Sequence, residues 1–290
     1  MKLMLSKRFL TAFLVLPGAV LLSAAKTGAT TTVYTLSVSG AAGDVFDGVD
    51  GWSQSEANFG SEYPRSYVQP FSGGVTGFSV GGFYDTEPFT GGNSMSVFRS
   101  VGVHDARGAG LEVAFQLQDS EVLADPGNPG GGYFDTDRNQ FSLGFQDLVS
   151  VVFQPSGQSA DPSSDTAAWN PFVSVDGELR AFTGARLQED GLYTMDLSVT
   201  SVANGLNYVA TLTDLGGTSL TSSGSIPGTS ASDPLPAVEV GWGLSGSEAD
   251  GLGSNSIAIS SMTVTVPEPS ASMLCLAAIV PLLALRCRKQ

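Results

Sequence analysis

Through the middle of the chain apolar and polar residues alternate with a period of two, and that period predicts strands. At 111–118, Leu111, Val113, Phe115 and Leu117 share one face, while Glu112, Gln116 and Gln118 take the other. At 192–200, Tyr193, Met195, Leu197 and Val199 lie opposite Thr194, Asp196 and Ser198. Tyr208, Ala210 and Leu212 resume the pattern after Asn204-Gly205, a dipeptide suited to a tight turn, so 192–213 is predicted to be a hairpin. Further strands are expected at 33–39, 75–80, 95–103, 148–154, 171–175, 237–243 and 256–266. In the last of these Ile257 and Ile259 have one parity, and Met262, Val264 and Val266 the other. A β-bulge near Ser260-Ser261 reconciles the two. Between 40 and 95 the Gly-, Asp- and aromatic-rich chain yields few firm elements. About a dozen short strands without helices predict an all-β body of two packed antiparallel sheets.

The ends break this pattern. Lys2, Lys7 and Arg8 precede an apolar run from Phe9 to Leu22, and Ser23-Ala24-Ala25 supplies small residues for cleavage before Lys26. Residues 1–25 therefore read as a secretory signal helix, with Thr27-Gly28-Ala29 a second cleavage candidate and an uncleaved anchor the alternative. At the other end Val266-Pro267-Glu268-Pro269-Ser270 leads into an apolar stretch from Met273 to Leu285, then Arg286, Cys287, Arg288, Lys289 and Gln290. Such a stretch makes about 20–23 Å of helix at ~1.5 Å per residue, against ~30 Å of hydrocarbon. It is a short membrane helix, and the basic residues behind it hold the tail on the cytoplasmic side. The expected organisation is a signal at 1–25, a β-sandwich at 26–265 and a sorting segment at 266–290.

Charge changes the picture of the body. Six of the 13 Lys and Arg and one of the 28 acids lie in the two ends, leaving seven bases against 27 acids, a net charge near −20. Such a surface repels phosphate backbones and excludes nucleic acid as a partner. Both cysteines, Cys275 and Cys287, belong to the tail, so the body has no disulfide, thiolate nucleophile or cysteine metal cluster.

Pro267-Glu268-Pro269, a short apolar helix and the terminal basic cluster of Arg286, Arg288 and Lys289 together resemble a PEP-CTERM sorting signal. The resemblance covers about 25 residues and implies a Gram-negative host, Sec export and transient membrane anchoring. It also implies processing near the Pro-Glu-Pro motif by an exosortase, a membrane cysteine transpeptidase, and a cell-surface or extracellular destination. Hosts of this family often make exopolysaccharide, which becomes a candidate partner. A GPI-type signal is the alternative, but such tails end apolar rather than basic. Residues 141–266, with the 192–213 hairpin, the Val240-Gly241-Trp242-Gly243 strand and a final strand from Asn255, resemble the second half of a concanavalin A-like (laminin-G-like) jelly roll.

Chemistry is sparse. Gly77-Phe78-Ser79-Val80-Gly81 fits the nucleophile-elbow spacing, but the motif needs a strand-to-helix turn, and His104 is the single histidine available as a base. His104 beside Asp105 reads as a surface pair. No strand carries the closely spaced carboxylates of concanavalin-like glucanases, although Glu112, Glu178 and Glu239 fall in or beside strands. Asp135, Asp137 and Asn139 have the odd spacing of a calcium loop, but Gln140 stands where its glycine belongs, and Asp44, Asp47 and Asp50 form a second acidic loop. Trp52 and Trp169 are placed in loops, where they could stack on sugar rings, whereas Trp242 is expected in the core. The reading is a non-enzymatic surface or matrix protein; the alternatives are a lectin-like glycan-binding module and a secreted glycoside hydrolase.

Overall fold

Sixteen strands and no helix occur among the described residues of the computed structural model, which are 31–43, 47–57, 64–71, 75–84, 94–102, 104–120, 139–155, 168–183, 186–188, 191–230, 232–244 and 253–267. In chain order they are β1 (Thr31–Thr35), β2 (Trp52–Ala57), β3 (Pro64–Pro70), β4 (Thr76–Tyr84), β5 (Ser94–Arg99) and β6 (Gly110–Ser120). Then follow β7 (Asn139–Phe145), β8 (Val149–Pro155), β9 (Ala168–Val175), β10 (Glu178–Ala181) and β11 (Leu187–Gln188). The last five are β12 (Leu192–Val202), β13 (Gly205–Asp214), β14 (Ser219–Ile226), β15 (Val238–Leu244) and β16 (Gly253–Pro267).

They build two sheets. The first runs β14-β13-β12-β6-β16-β4-β3, with β1 beside β16, and the second runs β10-β9-β8-β7-β15-β5-β2, with β11 beside β9. Every pairing with a recorded register is antiparallel. The chain changes sheet after β1, β2, β4, β5, β6, β11, β14 and β15, which makes the all-β body a jelly-roll sandwich. Val33–Val266 form one compact unit.

Alternation decides which face is core. Leu111, Val113, Phe115 and Leu117 of β6, Met195, Leu197 and Val199 of β12, and Tyr208, Ala210 and Leu212 of β13 are all buried between the sheets. Phe141, Leu143, Val151, Phe153, Val173 and Val240 answer them from the second sheet. Phe115 meets Phe153 across the interface with ring centroids 5.1 Å apart. At the parity change in β16 the register with β6 shifts between Ile259 and Ser261, and the hydroxyl of Ser260, the extra residue, donates to the carbonyl of Ala114 at 3.2 Å. The bulge keeps Ile257 and Ile259 before it, and Met262, Val264 and Val266 after it, on the core side.

The two expected terminal helices lie outside the described residues. Among the described residues no helix is long and apolar enough to cross a membrane.

Candidate functional site

The second sheet turns a row of small and acidic residues away from the core. Glu239 of β15 stands opposite Gly144 of β7, Gly144 opposite Ser150 of β8, and Ser150 opposite Ser174 of β9. Four strands at ~4.8 Å spacing carry this row over about 14 Å. Gly144 is required for its flatness, because a Cβ there would come within 2.4 Å of the Ser150 Cα and the Val149 carbonyl oxygen. A parallel row brings Ser96, Gly241 and Ser142 side by side on β5, β15 and β7. A Cβ on Gly241 would fall 2.3 Å from the Ser142 hydroxyl.

Two hairpin tips border the first row. Asp176-Gly177 joins β9 to β10 with both residues left-handed, at φ 52° and 77°, the backbone of a two-residue type I′ turn. Asp147, in the turn from β7 to β8, is also left-handed at φ 55°. Aspartate tolerates that region better than most non-glycine residues, so both tips end in a carboxylate. The result is a groove of about 350 Å³ lined by Asp147, Asp176 and Glu239, Ser150 and Ser174, with Phe145 and Leu148 as apolar wall. That volume is within the range of small-molecule sites. Among the described residues the ion pair is Arg107–Asp105 at 2.8 Å, and no described base pairs with a groove carboxylate. The groove offers three carboxylates as hydrogen-bond acceptors and two serine hydroxyls, which both donate and accept.

The structure places the sequence candidates differently. Trp52 opens β2 and is 1% exposed, its ring 4.9 Å from Phe78 and its indole N–H donating to the carbonyl of Ser37 at 3.3 Å. Trp169 lies within β9, is 0% exposed, and packs 5.8 Å from Phe141. Both are strand residues of the core rather than loop residues, and neither ring face can stack on a sugar. Trp242 is buried as expected. Ser79 is fully buried in mid-strand on β4 and bonds to the Gln69 carboxamide, so the Gly77-x-Ser79-x-Gly81 spacing makes no nucleophile elbow. His104 is not paired with Asp105: its Nε2 lies 2.9 Å from the Tyr34 hydroxyl, and Asp105 is taken by Arg107.

Asp135 and Asp137 lie outside the described residues, and Asn139 begins β7. In the second acidic loop Asp50 accepts the Ser39 N–H at 2.6 Å and Asp47 the Gln54 N–H at 2.9 Å, so both carboxylates pin turns. Among the described residues no three His, Cys, Asp or Glu side chains converge closely enough to hold a metal ion. Pro267 ends β16; Glu268, Pro269, Arg286, Arg288 and Lys289 lie outside the described residues. Of the groove residues, Glu239 was within reach of sequence reading as an acid in a strand. Asp176-Gly177, an Asp-Gly dipeptide between alternating segments, was an available hairpin signal.

No family model matches the chain, and no curated protein matches it. Solved structures of similar shape include peanut lectin bound to a nine-residue peptide, 13% identical at a TM-score of 0.43 over 82% of this chain and 97% of that one. A seed lectin of Lotus tetragonolobus is 14% identical at a TM-score of 0.44, over 83% of this chain and 100% of that one. The CBM2 module of the evolved Dit protein of Lactobacillus casei BL23 phage J-1 is 11% identical at a TM-score of 0.41, over 83% and 98%.

Proposed function

We propose that this chain is an exported surface protein whose β-sandwich binds a neutral, hydroxyl-rich glycan in the groove at the turn end of the second sheet, without turning it over. The observation that carries this reading is the row Glu239–Gly144–Ser150–Ser174, flat and bordered by Asp147 and Asp176. Carboxylates accept from paired sugar hydroxyls, and charge-assisted bonds of this kind are the stronger ones. Serine hydroxyls adapt as donor or acceptor. With Trp52 and Trp169 in the core, orientation falls to hydrogen bonds rather than ring stacking. Three carboxylates in a body of net charge near −20 disfavour acidic polysaccharides, so neutral glycans are the ligand class.

Export and sorting belong to the same proposal. The 1–25 segment suits Sec export, and the 266–290 segment suits transient anchoring and exosortase processing, which would bring the body to the neutral polysaccharide of a Gram-negative surface or matrix. The test has two arms. On an array of neutral and acidic glycans the purified protein should bind neutral chains, and Glu239→Gln should weaken that binding at least tenfold without shifting the melting temperature. Binding that ignores Glu239→Gln, or binding confined to acidic glycans, would sink the groove. Intact mass of the form displayed by the native host should lack Arg286 to Gln290. A main surface form that retains them would sink the sorting.

A further inference from the structure

Along the main path of each sheet four strands stand at the ends, β14 and β3 in the first and β10 and β2 in the second, while the five-residue β1 and two-residue β11 pair off these paths with β16 and β9. Exposed edges invite pairing with another chain, and proteins blunt them with prolines, charges, bulges or shortness. Three of the four are blunted here. β3 begins at Pro64, ends at Pro70 and carries Arg65. β10 has four residues, including Glu178 and Arg180. β2 carries Glu56.

β14 has none of these devices. Its eight residues, Ser-Leu-Thr-Ser-Ser-Gly-Ser-Ile, include no charge and no proline. They pair with β13 in unbroken register from Leu206↔Ile226 to Thr213↔Ser219. Ser219, Thr221, Ser223 and Ser225 are exposed, while Ile226 is buried. Among the described residues one side chain reaches the strand's main chain from across the sandwich opening: Arg180, whose guanidinium donates to the carbonyl of Ser225 at 3.2 Å. That contact closes one end of the edge, and among the described residues no other side chain reaches the main chain from Ser219 to Gly224.

We infer that β14 is a self-association edge, on which the β14 of a second copy of this chain adds antiparallel about a twofold axis. The partner is argued from chemistry. A charged edge would set like charges against each other across a twofold axis, whereas hydroxyls match their own kind because each both donates and accepts. The sheet already uses such pairs one strand inward, with Thr213 and Ser219 hydroxyls 2.9 Å apart and those of Thr211 and Thr221 3.3 Å apart. In a body of net charge near −20 a copy of the chain meets repulsion over most of the surface, and this strand is a neutral stretch where approach costs least. The antiparallel arrangement also brings the turn at one end of each strand alongside the far end of the other. That turn carries Leu215, which is 82% exposed.

The test compares two lysine variants of the full chain, one at the edge and one inside the sheet. Thr221→Lys places a charge on β14, and Ser198→Lys places one on the exposed face of β12, away from any edge. Sedimentation of the wild type should give a two-chain particle, Thr221→Lys should raise its dissociation constant at least tenfold, and Ser198→Lys should leave it unchanged. A second measurement covers a variant that folds poorly. With Cys275 and Cys287 replaced by Ser, single cysteines at 219, 221, 223 and 225 should give a disulfide-linked pair on oxidation for at least one position, and a cysteine at 198 should not. A wild type that stays single-chain at ~100 μM, association equally sensitive to both lysines, or no crosslink at any of the four positions would overturn the inference.

Discussion

Along the β12–β13 hairpin, Met195, Leu197, Val199, Leu206, Tyr208, Ala210 and Leu212 are buried and the intervening positions face outward, so apolar burial alone fixes the register. Among the described residues between Ser37 and Gln69, polar contacts add a second kind of restraint to the buried Trp52 and Val68. Asp50 accepts from Ser39, Asp47 from Gln54, the Ser66 hydroxyl donates to the Gln54 carboxamide at 2.6 Å, and Arg99 donates to the Ser37 carbonyl at 3.0 Å. Gln69 extends the pattern onto the outer face of the first sheet, receiving the Ser79 hydroxyl and reaching Gln118 at 3.4 Å, while Ser256 donates to Gln118 at 3.1 Å. One region is specified by many interchangeable apolar contacts, the other by a few polar contacts that each need one partner. The difference predicts how each fails: the hairpin side by large losses on truncation, the polar side by losses that a second substitution can repair.

The largest effect is expected at Phe115, which is 1% exposed and touches both Phe153 of the opposite sheet and Tyr193 of β12. Phe115→Ala removes an aromatic bridge between the sheets and leaves a cavity that tightly packed neighbours cannot fill, so about 3–5 kcal/mol should be lost in denaturant unfolding. A loss below about 1 kcal/mol would mean that the two sheets are not held by this packing, and the comparison would break.

A smaller effect separates the two modes more sharply. Gln69→Leu leaves the fully buried Ser79 hydroxyl without its acceptor, at a cost of about 1–3 kcal/mol. Adding Ser79→Ala removes the orphaned group, and the double variant should recover most of the loss, because replacing both partners by apolar groups is nearly neutral. Chemical denaturation of the wild type, both single variants and the double variant gives the answer. Losses that simply add would show that Gln69 acts through packing, as a hairpin residue does.

The same division explains what was legible in the sequence. Period-two alternation located β6, β12 and β13, and the parity change in β16 located its bulge, because a buried face forces every second residue to be apolar. β14 escaped notice because an edge strand that shows one face to water needs few apolar residues, and Ser219 to Ile226 has two. Trp169 was misplaced by Asn170-Pro171, which reads as a loop. Pro171 is tolerated in β9 because β10 pairs with residues 172–175 and β11 with 168–169, so the proline falls in the gap between them. Trp52 was misplaced by Gly51, whose φ of 79° makes a turn directly before the strand. The groove was illegible for another reason. Glu239, Ser150 and Ser174 meet only because β15, β7, β8 and β9 are neighbours in the sheet, an order that local pattern does not encode.

The smallest expected effect tests whether the polar region depends on a single charge. Hydrogen bonds from Ser39, its side chain first and then its main chain, with Arg99 nearby, hold the Asp50 carboxyl below its ordinary value of 3.8. A carboxyl with a depressed folded value binds protons more weakly in the folded chain than in the unfolded one. Its contribution is therefore complete above the unfolded value and disappears as pH falls through the folded one. Asp50→Asn keeps the shape but removes the ionised acceptor. At about pH 6 the wild type should melt slightly higher than Asp50→Asn, and the gap should close as pH falls below the ordinary value of 3.8. The site is fully exposed, so added salt should weaken the Arg99 share and leave the Ser39 share. A gap that is constant with pH, or that widens in acid, would show that Asp50 holds Ser39 by shape alone, and the contrast with the apolar hairpin would then rest on Gln69 and its partners.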